Sequence, residues 1–281
     1  MRCALAVALA LFAAGPLSAA ASAERIVSVG GGATEIVYAL GAGDRLVAVD
    51  STSTWPAAAA ALPRVGYMRQ LAAEGVLSMR PDVVVATSDA GPAPALAQLR
   101  TAGVRVTLLP AERSFDALLE SVRLVAAAIG REAAGGQLQA RLRAEWAATQ
   151  AQVAARGGSP RVLFVLAHGG SAGALVSGEG TAADAMIRLA GGRNALAGFS
   201  GYKPLTAEAG VTAAPEVILV TAESVAVLGG AEKLLQHPGL ALTPAGRAGR
   251  VVSFEALYLL GFGPRLPAAV RDLADRIHAA P

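Results

Sequence analysis

Cysteine, lysine and aromatic residues are scarce in this chain, and each shortage narrows the classes of function. The 281 residues include one cysteine, Cys3, and it precedes the apolar run of an N-terminal export signal. The exported chain therefore has no thiol for a disulfide, for nucleophilic catalysis or for a zinc site. Three histidines without cysteine are also a poor ligand supply for a zinc or manganese carrier.

The charged residues exclude nucleic acid as a partner. Lys203 and Lys233 are the only lysines, and the formal net charge is +3. Arginines and acidic residues are interspersed, with no long basic block. A nucleic-acid-binding domain is expected to carry such a block or a basic face, so we expect none here.

The N-terminus is typical of a secretory signal peptide. Arg2 precedes the apolar run "ALAVALALFAA", which is followed by Pro16 and by small residues ending in "ASA". The run is shorter than the roughly 20 apolar residues that a membrane-spanning helix needs. We expect cleavage after residue 23 and a mature periplasmic protein that begins at Glu24.

Strands and helices alternate in two separate parts of the chain. The strand-like segments are "RIVSV", "RLVAVD", "PDVVVAT" and "VRVTLLP" in the first part, and "RVLFVLAH", "PEVILVT" and "GRVVSF" in the second. Alternation of this kind predicts α/β lobes with parallel sheets covered by helices. A helical connection separates them, so we predict an N-terminal lobe at 24–130, a linker helix at 131–157 and a C-terminal lobe at 158–281.

An internal repeat supports the division into two lobes. The segments "LAAEGVLSMRPDVVVAT" (71–87) and "LTAEAGVTAAPEVILVT" (205–221) align without a gap at an offset of 134 residues. A Gly-Tyr pair precedes each copy, displaced by a single residue between the two, with the tyrosines at Tyr67 and Tyr202. Because ligands of open α/β sheets bind beyond the carboxyl ends of the strands, we expect a ligand cleft between the lobes.

Tyr67 is the first candidate for a metal ligand. A tyrosine phenolate is a recognised axial ligand of haem iron, and the cation of Arg69 two residues later would favour the charged form. The alternative is a loop tyrosine that packs its ring against a neighbouring helix. His168, at the end of a strand, is a second candidate, with a hydrogen-bonded histidine at the rim as its alternative.

The stretch "VGGGATE" does not fit a dinucleotide-binding fingerprint, because Glu35 stands where G-x-G-x-x-G requires its last glycine. Gly31 and Gly32 instead predict a helix N-terminus near the cleft, whose free N–H groups could hold a carboxylate. The chain also contains no G-x-S-x-G elbow and no H-E-x-x-H motif, so no sequence signal indicates hydrolysis.

Glu74 and Glu208 occupy the same position in the two repeats, near the start of a predicted helix in each lobe. Acidic residues in a first helical turn are favoured by the helix dipole alone. Their symmetric placement on two lobes also suits a dimeric partner that presents arginines at both ends.

Four segments resemble the periplasmic haem-binding proteins of bacterial haem ABC importers, within the superfamily of siderophore- and cobalamin-binding proteins. These segments are "RIVSVGGGATEIVYALGAGDRLVAVDSTSTWP", "GYMRQLAAEGVLSMRPDVVVAT", "GYKPLTAEA" and "ALYLLGFGPRLP". The Tyr-Met-Arg sequence is the most specific of the resemblances, which together run over essentially the whole mature chain.

The resemblance implies two Rossmann-like lobes joined by one long helix, with one haem or a stacked pair between them as the transported ligand. It implies that Tyr67 is the axial iron ligand and that Arg69 partners the phenolate or a propionate. His168 resembles a second iron contact, and Glu74 and Glu208 resemble residues that dock onto an inner-membrane permease and ATPase complex. The remaining haem contacts expected on this basis are Met68, Gly31, Gly32, Tyr202 and Lys203.

The resemblance also implies a monomeric binding protein that makes and breaks no bond. Family members often place another arginine in the second lobe, whereas the corresponding stretch "VTAESVAVLGG" has Glu223 and no arginine. Three alternatives stay open at this point: a protein that binds a ferric siderophore or cobalamin, an exported enzyme on the same scaffold, and a sensor domain that docks to a membrane receptor.

Overall fold

The computed structural model describes residues 24–167 and 173–280. The predicted signal peptide with Cys3 lies outside the described residues, and so does His168. Within them the chain forms two lobes, each built on its own β-sheet, so the predicted two-lobed α/β class is confirmed. No helix in these two ranges is long and apolar enough to span a bilayer.

The first lobe is a parallel sheet with strand order β2-β1-β3-β4. Its strands are β1 (Ile26–Val29), β2 (Leu46–Val49), β3 (Val83–Ala86) and β4 (Arg105–Leu108), and its helices are α1 (Gly31–Ala39), α2 (Ala57–Ala60), α3 (Ala73–Leu77) and α4 (Ala93–Thr101). Short 3₁₀ turns lie at Gly43–Arg45 and Met68–Gln70. Alternate residues of β3 pack against α1 on one face and against α3 and α4 on the other. Burial on both faces explains why β1 and β3 read as unbroken apolar runs.

Two helices follow the last strand of the first lobe: the first packs on that lobe, and the second runs on to the other lobe. These are α5 (Phe115–Ala128) and α6 (Glu132–Ala154). Ser114 caps α5, because its hydroxyl oxygen accepts a hydrogen bond from the amide of Ala117 at 3.1 Å. At a rise of about 1.5 Å per residue, the 23 residues of α6 span roughly 35 Å, enough to reach from one lobe to the other.

The second lobe has a sheet with strand order β10-β9-β5-β6-β8, and β7 also pairs with β5. Its strands are β5 (Arg161–Leu166), β6 (Leu175–Ser177), β7 (Arg193–Asn194), β8 (Tyr202–Pro204), β9 (Val217–Thr221) and β10 (Val251–Phe254). Its helices are α7 (Ala182–Leu189), α8 (Ala207–Ala213), α9 (Ala222–Val227), α10 (Ala231–Leu235), α11 (Pro238–Ala241), α12 (Pro244–Arg247), α13 (Ala256–Leu260) and α14 (Leu266–His278).

The second sheet is mixed, which differs from the expected parallel sheet. Strands β5, β9 and β10 are parallel, but β6 runs antiparallel to both β5 and β8. Strands β6 and β8 are three residues long, and all of β8 is exposed. A strand this short and this exposed shows no apolar periodicity, so its residues carry no signal that would predict it.

One apolar core runs through both lobes along α6. Leu142 is fully buried, and the rings of Phe115 and Trp146 stack with centroids 4.8 Å apart. On the same helix, the hydroxyl of Thr149 donates to the carbonyl of Pro267 in α14 at 3.2 Å. The buried side chains around α6 are continuous with those of the sheets in both lobes. The lobes therefore share one close-packed core, which resists wide hinge motion.

A charged pair joins the lobes beside α1. Glu35 accepts two hydrogen bonds from Arg265, at 2.6 and 3.0 Å. The guanidinium also lies over the ring of Trp55 from the first lobe, at 4.9 Å, and over that of Tyr258 from the second, at 5.0 Å. Burial raises the pKa of Glu35, and the neighbouring cation opposes the rise. We call these four residues the interlobe clamp.

We predict that Arg265→Gln destabilises the protein in a pH-dependent way. The change leaves the Glu35 carboxylate buried without its cation, a loss of about 3 kcal/mol in the free energy of unfolding. It also raises the pKa of Glu35 further, so the folded state holds this proton more tightly than the unfolded state does. Both folded proteins keep Glu35 protonated at acidic pH, so the loss is small there, and it grows as the pH rises through the raised pKa that Glu35 has in the unaltered folded protein. Urea unfolding at acidic and neutral pH measures it.

The matched control is the double variant Glu35→Gln with Arg265→Gln, which removes both charges. Its loss of stability is expected to be smaller and nearly independent of pH, because no charge stays buried. Equal losses in the single and double variants at neutral pH would contradict the electrostatic account of the clamp.

Candidate ligand-binding cleft

A cleft of about 460 Å³ lies between the lobes. Residues of both lobes line it, and several follow the carboxyl ends of strands, as expected for open α/β sheets. The first lobe supplies Gly30, Gly31, Gly32, Ser51, Thr52, Thr54, Tyr67, Met68, Arg69, Thr87, Asp89 and Arg113, and the second supplies Leu166, Ala182, Tyr202, Glu223, Glu255, Ala256, Leu257, Leu260 and Gly261.

Tyr67 stands at the cleft on an anchored loop. Gly66 before it has a φ of +97°, which favours glycine, and its carbonyl accepts a hydrogen bond from the amide of Ser51 at 2.8 Å. After Tyr67, the carbonyl of Met68 accepts from the amide of Gly91 at 2.9 Å. The backbone is fixed on both sides of Tyr67, which is 38% exposed and lines the cleft.

Arg69 links the phenol to a carboxylate. One of its guanidinium nitrogens donates to the Tyr67 hydroxyl oxygen at 2.6 Å, and another donates to Asp89 at 2.8 Å. Asp89 also accepts from Arg113 at 2.8 Å through the same oxygen. Burial alone lowers the pKa of Arg69, but its bonds to Tyr67 and Asp89 outweigh burial, and the net pKa is raised. The arginine is therefore a permanent cation against the phenol oxygen.

Met68 lies between the cleft and the first-lobe core. Its sulfur is 3.8 Å from the hydroxyl oxygen of Thr87, and its side chain packs partly against the buried cluster of α3 and α4. Met68 thus presents a polarizable apolar contact at the cleft wall, a role that suits its flexible side chain.

Gly31 and Gly32 line the cleft at the N-terminus of α1, and they also allow the two lobes to approach closely. The amides of Gly30 and Gly31 are occupied, since Asp50 accepts from the first at 2.9 Å and Thr52 accepts from the second at 3.1 Å. They are not free to hold a carboxylate. A Cβ at Gly31 would overlap the Leu257 side chain, and one at Gly32 would overlap the carbonyl oxygen of Gly261. These glycines let α1 touch the second lobe.

Tyr202 faces the same cleft from the second lobe and is 39% exposed. The edge of its ring meets Phe164, with centroids 6.5 Å apart. Burial raises the pKa of its phenol, so this tyrosine stays neutral. Lys203 is not among the described residues that line the cleft, because its ammonium group lies 4.7 Å from the ring centre of Phe199.

The predicted docking residues lie away from the cleft. Glu74 is exposed in the first turn of α3, and Glu208 is exposed in the first turn of α8. The repeat therefore gives them the same local position on the two lobes. The remaining candidate, His168, lies outside the described residues, and its predicted role as a second iron contact stays a prediction.

Sequence reasoning missed Asp89, Arg113 and Glu255. Each follows the carboxyl end of a strand, after β3, β4 and β10 respectively. The rule that ligands bind at this edge of the sheet would have singled out the polar residues of "TSDAG", "PAERS" and "FEAL".

Comparison with known proteins identifies relatives over nearly the whole described chain. The model of the periplasmic binding protein family matches residues 26–257. The structure of the periplasmic haem-binding protein BhuT in complex with two haems is 49% identical, with a TM-score of 0.87, and covers 91% of this chain and 98% of that one. The apo structure of the haem-binding protein RhuT from Roseiflexus sp. RS-1 is 42% identical, with a TM-score of 0.88 and coverage of 92% and 98%.

Two further relatives are also binding proteins by name. An uncharacterized ABC transporter substrate-binding lipoprotein of Bacillus subtilis, YvrC, is 28% identical over 257 residues, which cover 91% of this chain and 80% of that protein. A vitamin B12-binding protein of Vibrio cholerae is 42% identical, but over 84 residues that make up 30% of each chain.

We predict that Gly32→Ala opens the contact between α1 and the second lobe. The added Cβ overlaps the backbone of Gly261, which has no flexible end that can move aside. Overpacking of this kind typically costs about 1–3 kcal/mol, measured as a fall in the urea midpoint.

Gly136→Ala is the matched control. Gly136 lies in α6, and among the described residues no neighbouring atom comes within 4 Å of the position that an added Cβ would take. The same change there should therefore stabilise the helix by up to about 1 kcal/mol. If Gly32→Ala proves as harmless as Gly136→Ala, the lobes do not meet tightly at α1.

Proposed function

The chain belongs to the periplasmic binding protein family, and we propose that it captures haem in its interlobe cleft and delivers it to an ABC transporter of the inner membrane. In this proposal the protein is exported with a cleaved signal peptide, acts as a monomer in the periplasm, and changes no bond of its ligand. The observation that carries the proposal is the phenol of Tyr67 in the cleft, with a guanidinium nitrogen 2.6 Å from its oxygen.

This phenol suits ferric iron. A hard anionic oxygen is a good ligand for Fe(III), and tyrosine is a recognised axial ligand of haem. Arg69 stabilises the negative charge that the oxygen acquires on ligation, because an opposite charge at hydrogen-bond distance favours the ionised form. The phenol is exposed enough to be reached without rearrangement of its loop.

The rest of the cleft suits a large flat ligand. Its volume of about 460 Å³ falls within the range of about 300–1,000 Å³ that is usual for ligand pockets. Apolar contacts come from both lobes, from Met68 on one side and from Leu166, Leu257 and Leu260 on the other. Such walls suit the two faces of a porphyrin.

The relatives favour haem over cobalamin. The two haem-binding structures match nearly the full length of both chains, whereas the vitamin B12-binding protein matches 30% of each. A porphyrin iron with an open axial position also uses the exposed phenol, which a fully ligated chelate does not need. Haem is therefore the ligand that the cleft supports best.

We predict that Tyr67→Phe changes the absorption spectrum of the hemin complex and weakens binding. The variant keeps the ring but lacks the oxygen that ligates iron. The loss of affinity should be at least the roughly 10–100-fold that removal of a supporting group near a metal costs. Titration of purified protein with hemin, followed in the Soret region, measures both effects.

Tyr202→Phe is the control, because it makes the same change at the equivalent position of the other lobe, where no described arginine donates to the phenol. Its Soret band should match that of the unaltered protein. If Tyr67→Phe leaves the spectrum and affinity unchanged, the phenolate is not the iron ligand. If the protein binds cobalamin or a ferric siderophore in the same assay and ignores hemin, the haem proposal is wrong.

We further propose that Glu74 and Glu208 contact arginines of the transporter. Both are exposed on equivalent first turns and lie outside the cleft lining, so they are available while ligand is bound. Two carboxylates on two lobes match a transporter made of two similar halves, and charge-assisted pairs give such docking its orientation.

The double variant Glu74→Gln with Glu208→Gln should raise the protein concentration needed to stimulate ATP hydrolysis by the reconstituted transporter, by about 10-fold or more. Hemin binding should stay unchanged. Glu232→Gln, another exposed first-turn glutamate of the second lobe, is the control. Stimulation that is unaffected in the double variant would exclude these two residues from docking.

A further inference from the structure

The charges that line the cleft are unequal in the two lobes: the first-lobe lining carries two arginines that share Asp89, and the second-lobe lining carries two glutamates. Among the described lining residues the cations are Arg69 and Arg113, and both belong to the first lobe. The second lobe contributes two carboxylates, Glu223 and Glu255, and no cation to the described lining. An anionic group on a ligand is therefore attracted to the first-lobe wall and repelled by the second.

The second-lobe carboxylates occupy the backbone donors of that wall. Glu223 accepts from the amide of Ala256 at 3.1 Å, and Glu255 accepts from the amides of Leu257 and Tyr258 at 2.9 and 2.8 Å. The N-terminus of α13 is thus capped by the protein itself. These three amides are not available to a ligand carboxylate, which also meets two like charges there.

Two backbone amides of the first-lobe wall are already occupied, and the cations of this wall are side chains. The amides of Gly30 and Gly31 are already bonded to Asp50 and Thr52. Of the two arginines, Arg69 donates one hydrogen bond to the phenol of Tyr67 and another to Asp89. These contacts leave Arg113 as the arginine with the greater donor capacity.

Arg113 has one polar partner in the part of the chain that the structure describes, the shared oxygen of Asp89 at 2.8 Å. A guanidinium carries five N–H donors in a planar fork, so most of the Arg113 donors have no hydrogen-bond partner among the described residues. The side chain is 24% exposed, which places it at the cleft wall rather than in bulk solvent. Asp89 holds it beside Arg69 and so fixes its position relative to the phenol.

We propose that Arg113 binds a carboxylate of the ligand and so sets which edge of the ligand faces the first lobe. The inference rests on the proposed function, in which the ligand is haem with two propionate groups. In this orientation the propionate edge lies against Arg113, and the apolar edge lies toward the second-lobe wall that carries Glu223 and Glu255. Arg113 thereby selects ligands that combine a metal with an ionised carboxylate.

The test compares hemin with its dimethyl ester, in which both propionates are uncharged. In the unaltered protein hemin should bind about 10–100-fold more tightly than the ester, the range expected for one charge-assisted hydrogen-bonded pair. Arg113→Gln should weaken hemin by the same factor, leave the ester unchanged and keep the Soret position, because Tyr67 still ligates iron. Arg100→Gln, an exposed arginine of α4 outside the cleft, is the control.

Arg113→Lys provides a second measurement, since it keeps the charge and loses the fork. Its hemin affinity should fall between those of the unaltered protein and Arg113→Gln. Equal weakening of hemin and ester in both variants would overturn the proposal, because it would mean that Arg113 supports the wall without meeting a carboxylate. Unchanged hemin affinity in both would overturn it too. Failure of the unaltered protein to bind hemin is a separate result, which refutes the proposed function before Arg113 is altered.

Discussion

The hydrogen bond from Arg69 to the phenol oxygen of Tyr67 is the interaction on which the chemistry of the cleft depends. At 2.6 Å it is a short contact between a permanent cation and an oxygen that can become anionic. The same guanidinium reaches Asp89, so the phenol, two arginines and one carboxylate form a single connected group on the first-lobe wall.

The two copies of the repeat place a tyrosine at the cleft from each lobe, but the surroundings of the two phenols differ. Each brings a Gly-Tyr pair to the cleft, with a positive φ at Gly66 and Gly201 and a similarly exposed ring after it. Only the first copy has an arginine on its phenol among the described residues, since the residue after Tyr202 is Lys203 and its ammonium group lies over Phe199. The repeat therefore places two phenols at the cleft: that of Tyr67, which has an arginine on its oxygen, and that of Tyr202, which stays neutral.

The sequence alone was sufficient to predict the features that follow from local residue patterns. Buried parallel strands such as β3 and β5 read directly as apolar runs, and the repeat located Tyr67 and Tyr202 in equivalent positions. What could not be read depends on contacts between distant residues. No periodicity relates Glu35 to Arg265, which stand 230 residues apart. Nor did the glycine stretch reveal that Asp50 and Thr52 would occupy its amides. Strand β8 could not be predicted, because its three exposed residues show no alternation of apolar and polar side chains.

The way the lobes are joined bears on how a ligand enters and leaves. The shared core along α6, the interlobe clamp and the close approach of α1 to Gly261 all fix one relative position of the lobes. A binding protein built this way holds its cleft formed before the ligand arrives, so little of the binding free energy is spent on closing the lobes. The same rigidity works against release. A partner that contacts both lobes at once, as docking through Glu74 and Glu208 would require, can oppose the clamp directly, because separating the two contact points strains the Glu35–Arg265 pair that lies between the lobes.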